Sequence, residues 1–323
     1  MKAIAYLKYG SPDVLRYEEI EKPTPGESEV LLRVRAASVN PYDWHFMRGK
    51  PYFLRLMVGL QRPKDTRLGT DVAGQVEAVG KNVTQFKAGD EVFGACRGAF
   101  AEYACASETA LVRKPSGVTF EQAASSPIAA LTALQGLRNK GQIQAGQKVL
   151  INGAAGGVGT FAVQIARSFG AEVSGVCSAR NVEMVRSIGA DQVIDYTLED
   201  FTRSGQRYDL ILDCIGNHSL AACRRALNPK GVLVTAGGQA GNWMIGALTR
   251  GIRARLLSQL VSQNFVSLLA KLSKEDLTIL GDLMATGKIT PVIDRRHGLR
   301  EVPEAIRYLE EGHARGKVVI TVA

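Results

Sequence analysis

The residues best suited to chemistry lie in the run Asn152-Gly-Ala-Ala-Gly-Gly-Val-Gly159. Within it, Ala154, Gly156 and Gly159 follow the spacing of a dinucleotide fingerprint, with alanine in the first glycine slot. Small side chains let backbone N–H groups approach a pyrophosphate. Ala154, Ala155, Gly156, Gly157, Val158 and Gly159 are therefore the candidate phosphate cradle. An apolar strand, 149–151, precedes the run, and a helical stretch, 160–169, follows it. A bound phosphate would thus meet a helix N-terminus, where the dipole favours negative charge. A tight strand-to-helix turn with no ligand is the plainer reading of the same residues.

The end of the next strand bears on which dinucleotide would bind. A site for NAD places Asp or Glu about 20 residues beyond the motif, on the ribose 2′-hydroxyl. The segment here is Gly175-Val-Cys-Ser-Ala-Arg-Asn181, with no acid in it. Ser178 and Arg180 suit a 2′-phosphate instead, Arg180 as a planar fork and Ser178 as a neutral donor. That favours NADPH. The alternative is that Arg180 is a solvated residue at a helix start.

These residues need elements to position them. Residues 3–7, 30–37, 74–79 and 91–93 are short β-prone runs punctuated by turn-formers, which suits a compact, partly closed β unit. The rhythm then changes. Residues 120–137 are Ala-rich and helix-prone. From 149 to 238, strands (149–151, 172–177, 192–195, 210–214, 232–235) alternate with helices (160–169, 181–188, 219–227). Such alternation predicts a parallel sheet covered by helices. Helical patterns at 274–285 and 302–311 precede a terminal strand at 317–322.

Composition bounds the rest. The 323 residues suit about two domains, and 46% apolar with 22% charged residues is ordinary globular usage. The net charge of +9 fits a ligand that carries phosphates; a nucleic-acid groove is poorly supported with only 7% aromatic residues and no long run of like charges. Cys96, Cys105, Cys177, Cys214 and Cys223 form no CxxC pair and read as reduced thiols of a cytoplasmic protein. The N-terminus lacks the apolar stretch of a signal peptide, and no window reads as a membrane span.

Several separate motifs occur in a fixed order: Val39-Asn-Pro-Tyr-Asp43, Gly69-Thr-Asp-Val-Ala-Gly74 leading to Gly80, Ala88-Gly-Asp-Glu-Val-Phe-Gly94, Ala129-Ala-Leu-Thr-Ala-Leu134, and the glycine run. Together they resemble the medium-chain dehydrogenases/reductases, specifically the zinc-independent quinone oxidoreductase-like branch, over essentially the whole chain. The zinc-dependent branch has Cys where this chain has Asn40, and His-Glu where it has Thr70-Asp71. Its cysteine-rich structural zinc lobe has no counterpart here. The resemblance therefore implies no zinc, and an acceptor that is already electrophilic: a quinone or an α,β-unsaturated carbonyl.

The resemblance also implies site roles. Asn40 lies near the nicotinamide, the alternative being an Asx turn before Pro41. Thr132 matches a threonine beside the ring, or is a plain helical residue. Tyr196 resembles a tyrosine near the adenosine 2′-phosphate. Cys214, Ile215, Gly216, Gly237 and Gly238 close strands whose carboxyl ends would face the ligand crevice. Lys317 belongs to a C-terminal Gly-Lys pattern and is a weaker candidate for cofactor contact. Tyr52 and His45 are candidate proton donors and Asp43 an orienter, although structural roles serve each equally well and water could protonate a quinone product.

Two apolar stretches seeded with arginine, 51–60 and 243–272, suit a wall or lid for a bulky substrate with peripheral membrane contact, or core plus dimer surface. The expected architecture is α/β. A GroES-like domain (1–120) is completed by 272–323, and a Rossmann doubly wound parallel sheet (121–271) is inserted between, with the active cleft between the two. The expected activity is NADPH-dependent, metal-free reduction of a small apolar electrophile by a homodimer. The rival is an NADPH-binding sensor, crystallin-like or nucleic-acid-binding protein with little turnover; a true alcohol dehydrogenase is a weaker one.

Overall fold

The computed structural model describes residues 1–236 and 261–322. The chain divides into two compact units. One comprises 1–131, 272–287 and 291–323; the other comprises 132–271 and 288–290.

The first unit is built on a mostly antiparallel sheet. Its strand order is Ile293–Gly298, Lys317–Thr321, Glu29–Val39, Asp71–Val79, Glu91–Ala95 and Leu111–Arg113, with Tyr103–Ser107 also pairing with Glu29–Val39. The long strand Glu29–Val39 shows why it forms. Val34 points inward between the exposed Arg33 and Arg35, and the last four residues, Ala36 to Val39, are buried on both faces. Small residues there admit close neighbours. The core gathers Ile4, Leu32, Val72, Val92, Phe100, Leu111, Val318 and Ile320. The helix Val302–Glu310 joins it through Val302, Ala305 and Ile306, whose spacing of three and four makes one face. A second short pairing, Lys2–Ala5 with Arg16–Glu19, is antiparallel.

The second unit carries six parallel strands in the order Gln192–Asp195, Glu172–Cys177, Lys148–Asn152, Tyr208–Asp213, Leu227–Thr235 and Asn264–Ser267. Numbered along the chain, this is 3-2-1-4-5-6, a Rossmann doubly wound sheet. The order reverses between Lys148–Asn152 and Tyr208–Asp213, and ligands bind such sheets outside the strand ends at that reversal. The strands read as near-continuous apolar runs because both faces are covered. Val149, Leu150 and Ile151 are fully buried, as are Leu210, Ile211 and Leu212. The helix Gly157–Ser168 packs against the sheet strands Lys148–Asn152 and Glu172–Cys177 and is buried continuously from Gly159 to Ala166.

Among the described residues no helix is long and apolar enough to cross a membrane. In the stretch 51–60, Tyr52, Phe53, Leu56, Met57 and Leu60 are exposed, while Leu54 and Gly59 are buried. Gly237, Gly238 and most of 243–272 lie outside the described residues.

Candidate active site

In the second unit, the phosphate cradle sits at the sheet's reversal point. The helix begins at Gly157, earlier than the sequence pattern suggests, so its unpaired first-turn N–H groups arise inside the glycine run. Gly156 precedes it in an extended conformation. A Cβ placed on Gly156 would meet only the Gly153 carbonyl oxygen, at 3.5 Å, so its hydrogens face open space. Gly159 is different: a Cβ there would stand 2.0 Å from the Gly153 oxygen. Ala154 is fully buried, and its N–H donates to the Val176 carbonyl (2.9 Å). The run therefore separates into packing residues (Ala154, Gly159) and an open face at Gly156 and the helix start. That open face fits a dinucleotide pyrophosphate.

Asn152, which opens the glycine run, and Asp213, which was not singled out from sequence, close the first and fourth strands. The Asn152 amide donates to Asp213 Oδ1 (2.8 Å) and to Asn217 Oδ1 (3.0 Å). The same Asp213 oxygen accepts from the N–H groups of Gly216 (2.8 Å) and Ile215 (3.2 Å). Asp213 thus shapes the loop 214–217 and holds it beside the cradle, with Ile215 exposed and Cys214 partly so. The only sequence signal was a polar residue ending each of two apolar runs.

At the adjoining strand ends, Ser178 and the exposed Arg180 follow Glu172–Cys177, and Tyr196 follows Gln192–Asp195. The parallel register pairs Asp195 with Cys177, and the Tyr196 N–H donates to the Cys177 carbonyl (3.0 Å). Ser178, Arg180 and Tyr196 are therefore neighbours along one edge. Ser178 Oγ accepts from the Asn181 amide (3.2 Å). Asp195, the acid nearest this edge, is committed to the N–H and hydroxyl of Thr197 (3.0 and 2.8 Å). Thr132 is nearly buried in the helix Pro127–Leu134 and is the first residue of this unit.

The first unit contains a buried polar cluster. Strand register brings it together: Val318 pairs with Val39, and Ser38 pairs with Asp71, so Lys317, Asn40 and Asp71 fall at one end of three adjacent strands. The Lys317 ammonium donates to Asn40 Oδ1 (2.5 Å), the Val39 carbonyl (3.2 Å) and Asp71 Oδ2 (3.4 Å). Asp71 Oδ2 also accepts from the Asn40 amide (2.9 Å) and Ser38 Oγ (2.8 Å). Asp71 Oδ1 takes the Ile128 N–H (3.0 Å). The second amide hydrogen of Asn40 goes to the Ser38 carbonyl (3.3 Å).

This arrangement revises several expectations. Asn40 makes no Asx turn; Asp43 caps the helix Pro41–Arg48 by accepting from the Asn40 N–H (2.7 Å). Both amide hydrogens of Asn40 are used internally, and its Oδ1 accepts from Lys317. The three ammonium protons of Lys317 are likewise committed, and the side chain is buried, so it holds Asn40 in place. Burial lowers the Lys317 pKa, a shift opposed by the charges of Asp71 and Asp43. Asp43 is pushed up to about 7, chiefly by burial; the Asn40 N–H opposes this and the Asp71 charge adds to it. Its Oδ1 is buried without a hydrogen-bond partner.

The proton-donor candidates lie elsewhere in the unit. His45 Nδ1 is 3.0 Å from the Lys50 carbonyl, which can only accept, so Nδ1 carries the hydrogen. Burial lowers the His45 pKa, so the ring is neutral near pH 7 with that proton bound to backbone. Tyr52 is 67% exposed, with the Arg55 guanidinium 5.0 Å from its ring.

The same cluster is poorly suited to a metal. The zinc-dependent branch has Cys and His where this chain has Asn40 and Thr70, and here Asn40 and the neighbouring Asp71 both accept from the Lys317 ammonium. A divalent cation and Lys317 cannot share those oxygens, so the donor set does not fit zinc. Among the described residues no group of His, Cys, Asp and Glu is arranged to hold a metal ion.

A reversing parallel sheet with an open glycine cradle, joined to a GroES-like β unit, defines a nucleotide-binding oxidoreductase class. The alcohol dehydrogenase GroES-like domain family matches residues 26–116, and the zinc-binding dehydrogenase family matches 188–320. The chloroplast envelope quinone oxidoreductase homolog of Arabidopsis thaliana is 34% identical, covering 99% of this chain and 98% of that protein. An NADPH-dependent alkenal/one oxidoreductase, chloroplastic, from the same plant is also 34% identical, covering 99% and 79%. The solved quinone oxidoreductase of Coxiella burnetii superposes with a TM-score of 0.88 at 32% identity, covering 100% of this chain and 99% of that one. The chain belongs to the quinone oxidoreductase branch of the medium-chain dehydrogenase/reductase superfamily.

Proposed function

We propose that the chain is an NADPH-dependent oxidoreductase that reduces quinones or the activated C=C bond of α,β-unsaturated carbonyls without a metal. The Lys317–Asn40–Asp71 cluster carries this reading. An ammonium is tied into the oxygens that would otherwise be offered to a Lewis acid. Reduction of a simple ketone relies on such an acid to stabilise the alkoxide. A quinone or enone spreads the incoming charge over its own conjugated oxygen and needs less help.

When bound, the reduced nicotinamide supplies the hydride. The residues of this chain bind and orient. Gly156 and the start of the helix Gly157–Ser168 would hold the pyrophosphate. Ser178 and Arg180, with Tyr196 beside them, would hold the 2′-phosphate, and Asp213 keeps the loop 214–217 in place. Asn40 is held rigid within its cluster. The NADPH dependence named for the alkenal/one oxidoreductase supports the cofactor choice.

The test is a steady-state comparison of NADPH and NADH against a small quinone, an enone and a simple ketone. The proposal expects NADPH to be favoured, with turnover of quinone or enone and little of ketone; the better acceptor names the subclass. Tight NADPH binding with no oxidation by any acceptor would instead make the protein a binding or sensing member.

A further inference from the structure

The first unit holds an apolar surface that neither the cradle nor the Lys317 cluster uses. Leu56, Met57 and Leu60 are 70%, 73% and 65% exposed, next to the exposed Tyr52. They are held outward by a fixed platform. In the one-turn helix Leu54–Val58, Leu54 is buried and Val58 half-buried, so these two mark the inner face. Leu56 falls on the other face by helical spacing, and Met57, beside it, is exposed as well. Arg55 Nε donates to the Gly49 carbonyl (3.0 Å), and its guanidinium lies 4.4 Å from the Tyr9 ring. The Tyr9 hydroxyl donates to the Gly59 carbonyl (2.6 Å), which closes the platform from below.

Charge says what covers this surface. From residue 44 to residue 64 the chain carries Arg48, Lys50, Arg55, Arg62 and Lys64, and no Asp or Glu. Arg48 is paired with Glu310, whereas Lys50, Arg62 and Lys64 are exposed around the apolar tips. A second copy of the same patch would set cations against cations. Large apolar side chains ringed by lysine and arginine match an anionic lipid interface, with the tips among acyl chains and the cations at headgroup phosphates. With no membrane-spanning helix among the described residues, such contact would be peripheral.

We propose that residues 50–64 form a peripheral docking surface for an anionic bilayer. The full chain would be co-sedimented with vesicles of phosphatidylcholine alone and of phosphatidylcholine with phosphatidylglycerol, at low and high salt. The expected result is retention on the anionic vesicles, weakened by salt, and little on the neutral ones. The triple variant Leu56→Ser/Met57→Ser/Leu60→Ser lowers the affinity for anionic vesicles by about tenfold or more, with melting temperature and NADPH binding unchanged. Should it fold poorly, Lys50→Gln/Arg62→Gln/Lys64→Gln gives the same loss through charge. Three results would overturn the proposal: wild-type protein left in the supernatant, variants that bind vesicles like wild type, or a triple variant whose only change is a smaller oligomer. The last would assign the surface to a second copy. Vesicle binding is read without turnover, so its failure leaves the proposed reaction untouched.

Discussion

Lys317 is the residue on which the first unit's cluster depends. Its ammonium compensates the buried Asp71 carboxylate and pins Asn40 Oδ1. Lys317→Met leaves that carboxylate unpaired, and removal of one partner of a buried pair costs about 3–5 kcal/mol. Denaturant unfolding should show a loss of that order, partly recovered in Lys317→Met/Asp71→Asn. Asp43 gives a pH signature. Its pKa is raised in the folded state to about 7, from an ordinary value near 3.8, so the folded chain holds a proton that the unfolded chain releases. Its contribution to stability is full below the unfolded value and declines as pH rises toward 7. Asp43→Asn mimics the protonated form, so its melting temperature relative to wild type should rise between pH 5 and pH 8. An identical difference at both pH values would show that Asp43 is not raised. On the cofactor side, Arg180→Ala should raise KM for NADPH about tenfold or more through loss of charge-assisted hydrogen bonds, and leave NADH unchanged. The types of these residues were readable in the sequence, but their partners were not. Lys317 lies 277 positions from Asn40, and only strand register makes them neighbours.

At the scale of elements, the glycine run makes two opposite predictions within four residues. Gly156→Ala adds a Cβ to open space, so it should keep its melting temperature and weaken NADPH binding. Gly159→Ala drives a Cβ into the Gly153 oxygen and should destabilise the fold before binding is considered. Melting curves beside a cofactor titration separate the two. The parallel strands of the second unit were legible because strands buried on both faces read as short, unbroken apolar runs. Ile293–Gly298 was not. Its sequence, IDRRHG, is charged and lacks alternation, because it sits at an edge with only Lys317–Thr321 as neighbour. Tyr103–Ser107 was missed for a related reason: it is five residues long and takes its place from pairing with Glu29–Val39. Residues 120–137, read as one helix, form Phe120–Ser125 and Pro127–Leu134, separated at Pro127, which cannot donate to a preceding turn.

For the whole molecule, the class was legible because several short motifs recur in a fixed order along the chain. The acceptor was not, since quinone and enone reduction demand the same hydride geometry and differ only in the pocket that admits them. The proposed function has a lysine-centred cluster of this chain in place of a metal, and an acceptor electrophilic enough to need no Lewis acid. The most direct measurement is the loss of absorbance of NADPH, with a quinone or enone as acceptor, before and after exhaustive chelation, with metal content determined on the same sample. The account predicts an unchanged rate and no stoichiometric zinc. A rate abolished by the chelator and restored by zinc, at about one ion per chain, would contradict it.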